Sequence, residues 1–330
     1  MKKKIMLAHG GGGQEMNDLI NGLIFKTFDN EILAQSNDSA ILNLSGKLAF
    51  STDSFVVSPI KFPGGDIGKI AVCGTANDLA MVGAKPRYIS CALIIEEGLD
   101  INELKDILSS MKSTADEAGV AIVCGDTKVV SKGSCDKIFI NTSGVGEIIK
   151  EVRIENLKSG AKILLSGDVG RHGAVILASR NELRLQSDLQ SDCKPLYKIV
   201  EALLNAGITP LAMRDATRGG LSAVLNEWAN FKGFELKIYE EKIKIKDEVS
   251  GICELLGFEA CELANEGTFV IAVDPKDEEK TLEILRKFDE NANTIGEVVS
   301  DKKTGVIIEN IYGSSRYLEV PKGELLPRIC

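Results

Sequence analysis

At 330 residues the chain is longer than one hydrophobic core usually serves, so two domains are expected. Its 44% hydrophobic and 26% charged content is ordinary globular composition. The net charge of -9 excludes a surface built for nucleic acid or anionic membrane, whose phosphates it would repel.

The start, Met1-Lys2-Lys3-Lys4-Ile5-Met6-Leu7-Ala8-His9, is basic and then apolar, but the apolar run is too short for a signal peptide. No apolar stretch is long enough to span a membrane, and the protein is read as cytoplasmic. Gly10, Gly11, Gly12 and Gly13 follow; such a run suits close backbone approach, or is simply a flexible leader. A helix with Leu19, Leu23 and Ile24 on one face comes next. Asn37-Asp38-Ser39 and then a strand, Lys47 to Ser54, each set an aspartate at the edge of an apolar element. Ile67 to Val82 reads as a helix rich in small residues, with Gly83 its stop and Pro86 beyond. Asp78 stands mid-helix among apolar neighbours, where a charge needs a partner such as a cation.

A buried strand is expected at 88–95, and a helix from about Asp100, its N-cap, to Ala118, stopped by Gly119. A short strand, Val120 to Cys124, runs into Gly125-Asp126-Thr127-Lys128, and a strand from Lys137 to Ile149 closes this half. Near residue 150 the pattern changes: a turn and a new strand at 157–167 open a second domain. Residues 181–194 read as a polar loop and 196–206 as a helix ending near Gly207. Arg214-Asp215-Ala216-Thr217-Arg218-Gly219-Gly220-Leu221 feeds a helix through Trp228; a Gly-Gly step there turns free N–H groups toward an anion. Glu266 enters a buried strand through Ala264-Asn265-Glu266-Gly267.

The last stretch, 312–323, carries Gly and Pro without helical period and suits an extended, movable arm ending in Leu326-Pro327-Arg328-Ile329-Cys330. A frayed tail is its plainest reading, and a prenylation box fails on spacing. The eight cysteines form no Cys-x-x-Cys pair, and those in apolar strands, such as Cys91 and Cys124, read as small core residues of a reducing compartment. With only His9 and His172, a histidine-based metal site is not expected.

Five aspartates (38, 53, 78, 126 and 215) end apolar elements in both halves. Each alone is ordinarily a cap or turn residue. Together with the Gly-Gly helix entrance they suit magnesium, a hard cation that keeps phosphates in its shell, and so a nucleoside triphosphate. A Walker loop is missing, because Gly65-Asp66-Ile67-Gly68-Lys69-Ile70 has the wrong spacing.

These stretches, with Asn77-Asp78-Leu79 and Arg214 to Leu221 the most specific, resemble the PurM-like ATP-binding superfamily of aminoimidazole ribotide synthetase and selenophosphate synthetase. The ending Pro327-Arg328-Ile329-Cys330 resembles the HypE family of hydrogenase maturation proteins, the carbamoyl dehydratases. The resemblance implies an α+β fold of two domains, with an N-terminal sheet forming a dimer barrel, a C-terminal α/β sandwich and an extended tail. The expected limits are 1–150, 151–311 and a mobile 312–330. It further implies that Cys330 takes a carbamoyl group from HypF. ATP then dehydrates it to a thiocyanate, and the cyano group passes to the HypC–HypD iron scaffold for [NiFe]-hydrogenase. Expected magnesium ligands are Asp38, Asp78 and Asp215. Expected ATP contacts are Gly10 to Gly13, Asp53, Asn77, Asp126, Thr217, Arg218, Gly219 and Gly220. Lys128 and Glu266 match the family's proton-abstracting pair, though such a pair is equally a structural ion pair. A selenophosphate synthetase would need a reactive cysteine in the glycine run, and a ribotide synthetase has no use for Cys330. A non-catalytic ATP-bound scaffold is the third alternative.

Overall fold

The computed structural model describes residues 4–35, 39–180, 187–300, 303–321 and 327–330. Asn37 and Asp38, the first part of the polar loop at 181–186, and 322–326 of the tail lie outside the described residues.

A 3-10 turn, Leu7–Gly10, ends on the first glycine of the run, which leads into α1 (Gln14–Leu19), a π-helical stretch (Ile20–Ile24) and α2 (Phe25–Phe28). The first sheet follows as β1 (Leu48–Phe55), a short ladder of β2 (Lys61–Phe62) and β3 (Gly65–Asp66), and α3 (Ile67–Met81). β4 (Ala84–Glu96), α4 (Ile101–Ala118), β5 (Ala121–Val130) and β6 (Ile138–Ile148) complete it. The strand order is β1-β6-β4-β5. Only β4 and β5 run parallel, joined by the α4 crossover; the other pairs are antiparallel. α3 starts where the Asp66 carboxylate accepts from Lys69 N, and its small residues are used for close packing. A Cβ on Gly68 would stand 2.5 Å from the Ile107 carbonyl oxygen of α4. The expected caps of α4 are present, with Asp100 accepting from Asn102 N and Gly119 left-handed at the end.

Helices α3 and α4 cover one face of this sheet. The other face shows Leu48 and Phe50 on β1, Ile94 on β4, and part-buried Phe139 and Val145 on β6; Phe50 is 73% exposed. Two expected strands prove longer here. The strand expected over Val120–Cys124 continues to Val130, which puts Asp126 inside β5 rather than at its end. Gly125 permits this, since a Cβ there would stand 2.0 Å from the Cys91 carbonyl oxygen on β4. The strand expected at 88–95 begins at Ala84, so Pro86, beyond the end of α3 as expected, lies within β4.

The second sheet draws on β7 (Lys162–Leu165), α5 (Arg171–Ser179), α6 (Tyr197–Asn205), β8 (Ala212–Asp215), α7 (Gly220–Lys232), β9 (Glu235–Tyr239) and α8 (Asp247–Leu256). It ends with β10 (Phe269–Val273), α9 (Glu278–Arg286), β11 (Asn293–Ser300), β12 (Gly305–Glu309) and β13 (Ser315–Tyr317). Its order is β13-β12-β9-β11-β7-β10-β8. β10 is buried on both faces, which is why it reads as an unbroken apolar run. Phe269, Ile271 and Val273 pack with α6 and α9, while Val270 and Ala272 pack with α7.

The movable arm expected over 312–330 is anchored at both described ends. Ser315–Tyr317 is a strand of the sheet, and Ile329 is only 5% exposed, packed into the core of the first half. Among the described residues no helix is long and apolar enough to cross a membrane.

Candidate functional site

Three of the five aspartates face one another across the two halves. β1 carries Asp53, α3 carries Asp78, and the end of β8 carries Asp215. Ser51 Oγ donates to Asp78 Oδ2 at 2.6 Å. Asp215 is buried, and burial together with the Asp78 charge pushes its carboxyl up to about 7. Burial also raises Asp78, against the Ser51 bond and Arg214. Asp53 is raised by burial, against a bond from Ser54 N. Among the described residues no three such side chains stand close enough to hold a metal by themselves.

Two expected members lie elsewhere. Asp126 is exposed on β5 and pairs with Lys128 Nζ at 2.8 Å, which holds its carboxyl below the usual range. Asn77 is buried, and its amide is taken up by the chain: Nδ2 donates to Lys194 O at 3.2 Å and Oδ1 accepts from Leu196 N at 2.8 Å. The expected closure of Gly10 to Gly13 over the helix start has no counterpart in the described contacts. Their hydrogen bonds are local, and Gly10 packs on β5, where a Cβ would stand 2.6 Å from Val129 N.

Past Asp215 the chain turns through Thr217 and Arg218 into α7. Gly219 caps the helix at φ +78°, and Gly220 follows at φ +60°. A Cβ on Gly220 would stand 2.5 Å from the carbonyl oxygens of Cys261 and Leu263, so only glycine lets the helix begin there. The first N–H groups of such a helix have no partner within it and, with the helix dipole, favour an anion.

Arg218 points its Nη2 at the Cys330 sulfur, 3.7 Å away. The tail reaches this point along a series of hydrogen bonds. Val56 N donates to Cys330 O at 2.9 Å and Ser58 N to Arg328 O at 3.1 Å. Arg328 returns the grip: Nε donates to Val56 O at 2.9 Å, and Nη1 meets Asp136 at 2.7 Å. Its backbone is left-handed, at φ +56°. His172 Nε2 lies 2.9 Å from Ile329 O, and Arg180 Nη2 donates to Pro327 O.

Glu266, 3% exposed, completes the group. Its N–H and that of Gly267 donate to the Asp192 carboxylate at 3.1 and 2.9 Å, which fixes the turn. Burial holds the Glu266 carboxyl well above its usual range, reinforced by Cys193, Asp215 and Asp192. The Cys330 thiol is pushed up to about 11 by burial and then by Glu266, against Arg218. The expected Lys128–Glu266 pair is not among the described contacts: Lys128 is taken by Asp126 on the exposed face. Sequence reasoning missed His172, Arg180 and Asp192; that the chain has only two histidines was the one available signal.

A thiol held beside a phosphate-type helix start, a buried carboxyl and a set of aspartates is a composite of two architectures, and comparison separates them. Residues 36–148 match the AIR synthase related protein, N-terminal domain, and 158–309 match its C-terminal domain. Carbamoyl dehydratase HypE of Escherichia coli (strain K12) is 47% identical over 99% of both chains. The chain belongs to the HypE carbamoyl dehydratase family. It is therefore an enzyme of that class, with the two-domain PurM-like fold. A crystal structure of hydrogenase maturation protein HypE in complex with ATP superposes with a TM-score of 0.95 at 42% identity, covering 98% of this chain and 99% of that one. A HypE–HypF complex structure gives a TM-score of 0.80 at 45% identity, covering 92% and 99%.

Proposed function

We propose that the chain uses ATP to dehydrate an S-carboxamide on Cys330 to a thiocyanate, the source of a cyanide ligand for the [NiFe]-hydrogenase iron during maturation. The observation that carries this reading is the docked sulfur, 3.7 Å from Arg218 at the head of α7 and within the field of buried Glu266. The ATP-bound and HypF-bound HypE structures support the nucleotide and the donor.

The amide oxygen is a poor leaving group, so it first attacks the γ-phosphorus and ADP departs. One N–H proton is lost to give the O-phosphorylated imidate. Loss of the second N–H proton forms the C≡N bond and expels phosphate. In balance, RS–CO–NH2 and ATP become RS–CN, ADP and phosphate. Such transfer depends on positioning and charge. The α7 start, with Thr217, Arg218, Gly219 and Gly220, receives the phosphates. Arg218 bridges them to the sulfur-bound group, and Glu266 takes a proton, its raised carboxyl suiting a base that must also release it. Asp53, Asp78 and Asp215 are the residues that would hold magnesium, because their mutual repulsion asks for a cation. Magnesium there would neutralise phosphate charge.

A thiol pushed up to about 11 is a poor nucleophile when docked. The tail therefore accepts the carbamoyl group from HypF while undocked, reacts while docked, and undocks again to serve HypC–HypD. The protein is proposed to be cytoplasmic. Two copies pair through the open face of the first sheet, where Phe50 and Ile94 stand exposed, as a homodimer barrel. Asp53 is on one edge strand, β1, and Lys128 on the other, β5. Lys128 and Asp126 stand on that open face with Ile94, and the proposed pairing would present them to the other copy.

Mass spectrometry of the Cys330 peptide after incubation with HypF, carbamoyl phosphate and ATP tests the reaction. A carboxamide adduct should appear and then lose one water; an adduct that keeps its water in the presence of ATP overturns the reading. Mixing Glu266→Gln with Lys128→Ala tests the pairing. Shared sites regain activity in mixed dimers, since one site then holds both residues, whereas no recovery places both residues within one chain.

A further inference from the structure

His172 is fully buried in the second position of α5 and is used by nothing in the proposed reaction. Its hydrogen bonds fix its tautomer. The Ile329 carbonyl, 2.9 Å from Nε2, can only accept, so Nε2 carries the hydrogen. Ser191 Oγ, 2.8 Å from Nδ1, already accepts from Cys193 N at 3.1 Å and has its own hydrogen to give. The chain of donors thus runs from Cys193 N–H through the Ser191 hydroxyl and the imidazole to the carbonyl next to Cys330. Burial keeps the ring neutral by lowering its pKa. Phe62 stands edge-on to it at 5.3 Å and 82°. Ser191 is itself pinned, its N–H donating to Pro63 O at 2.9 Å. The next residue, Asp192, is the one that fixes the turn of Glu266. Arg180, just past the other end of α5, grips Pro327 O.

We infer that His172 is a positioning residue that latches the tail: its Nε2–H, oriented by Ser191, holds the Ile329 carbonyl and so sets how much of the time Cys330 sits in the site. The inference rests on the proposed function for its purpose, but not for its test. Weakening the latch should have opposite effects on the two half-reactions, speeding carbamoyl acceptance and slowing dehydration. A merely structural residue would slow both.

The test is the alkylation rate of Cys330 by iodoacetamide at pH 8 in the full-length protein, read on the C-terminal peptide, with the peptide of part-buried Cys124 as internal control. His172→Leu, which has no donor, should raise it about five- to tenfold, the size set by loss of one buried hydrogen bond. His172→Gln, whose amide nitrogen can reach the same carbonyl, should restore a rate near wild type. An unchanged rate in His172→Leu, or an equal rise in His172→Gln, overturns the latch. Should His172→Leu not fold, Ser191→Ala decides: a rise of about twofold or more supports the latch and no rise overturns it. Alkylation needs neither ATP nor donor, so this result stands apart from whether the carboxamide loses water.

Discussion

The acidic cluster and the docked tail meet at one site but are built differently. Asp53, Asp78 and Asp215 are set by two strands and a helix whose burial fixes them before any ligand arrives. The tail is held by side chains that reach its carbonyls, His172 and Arg180 from the α5 region, and by Val56 and Ser58 N–H groups just past β1. The first arrangement changes only with the fold, while the second can open with the fold intact. Under the proposed function, the nucleotide site would thus be permanent and the thiol a visitor to it.

Glu266→Gln should break the comparison most sharply. It leaves both arrangements in place but removes the base, so dehydration of the carbamoylated protein should fall by about 100-fold or more while carbamoyl acceptance persists. A normal rate of water loss would remove Glu266 from the mechanism. Asp215→Asn acts on the permanent half. Magnesium-dependent ATP binding, followed by calorimetry, should be lost. The apo protein should melt about 2–4 °C higher at pH 8, because a buried carboxylate that resists ionisation is gone. A lower melting point would show that the cluster stabilises the fold rather than straining it.

The smallest effect concerns the tail and pH. A docked thiol whose pKa is raised holds its proton more tightly than a free one. Docking is therefore fully favoured below the free value of about 8.5 and weakens as pH climbs toward about 11. The alkylation–pH curve of Cys330 in the protein should be shifted to higher pH than that of a synthetic peptide of the same ending. Coincident curves would mean the thiol spends its time outside.

Much of this was legible in sequence where the signal was local. Asp100 and Gly119 bound α4 as their chemistry requires, and Gly219-Gly220 opens α7. Asp53, Asp78 and Asp215 could be grouped because each interrupts an apolar element. What failed was register and distance. Asp126 looked like a strand end because Gly125 resembles a stop, yet that glycine is what lets β5 pass the Cys91 carbonyl. Asn77 looked free for a ligand, but its partners lie in the second half of the chain. The grip on the tail was hidden for a similar reason: a lone buried histidine has no period, and a carbonyl acceptor leaves no mark on residue type.

Arg328 sits at φ +56°, a left-handed turn that a side chain adopts at a cost of about 1 kcal/mol. It makes three of the contacts that seat the tail. Under the proposed function, relief of that strain on undocking would shorten the seated dwell and help carry the thiocyanate out.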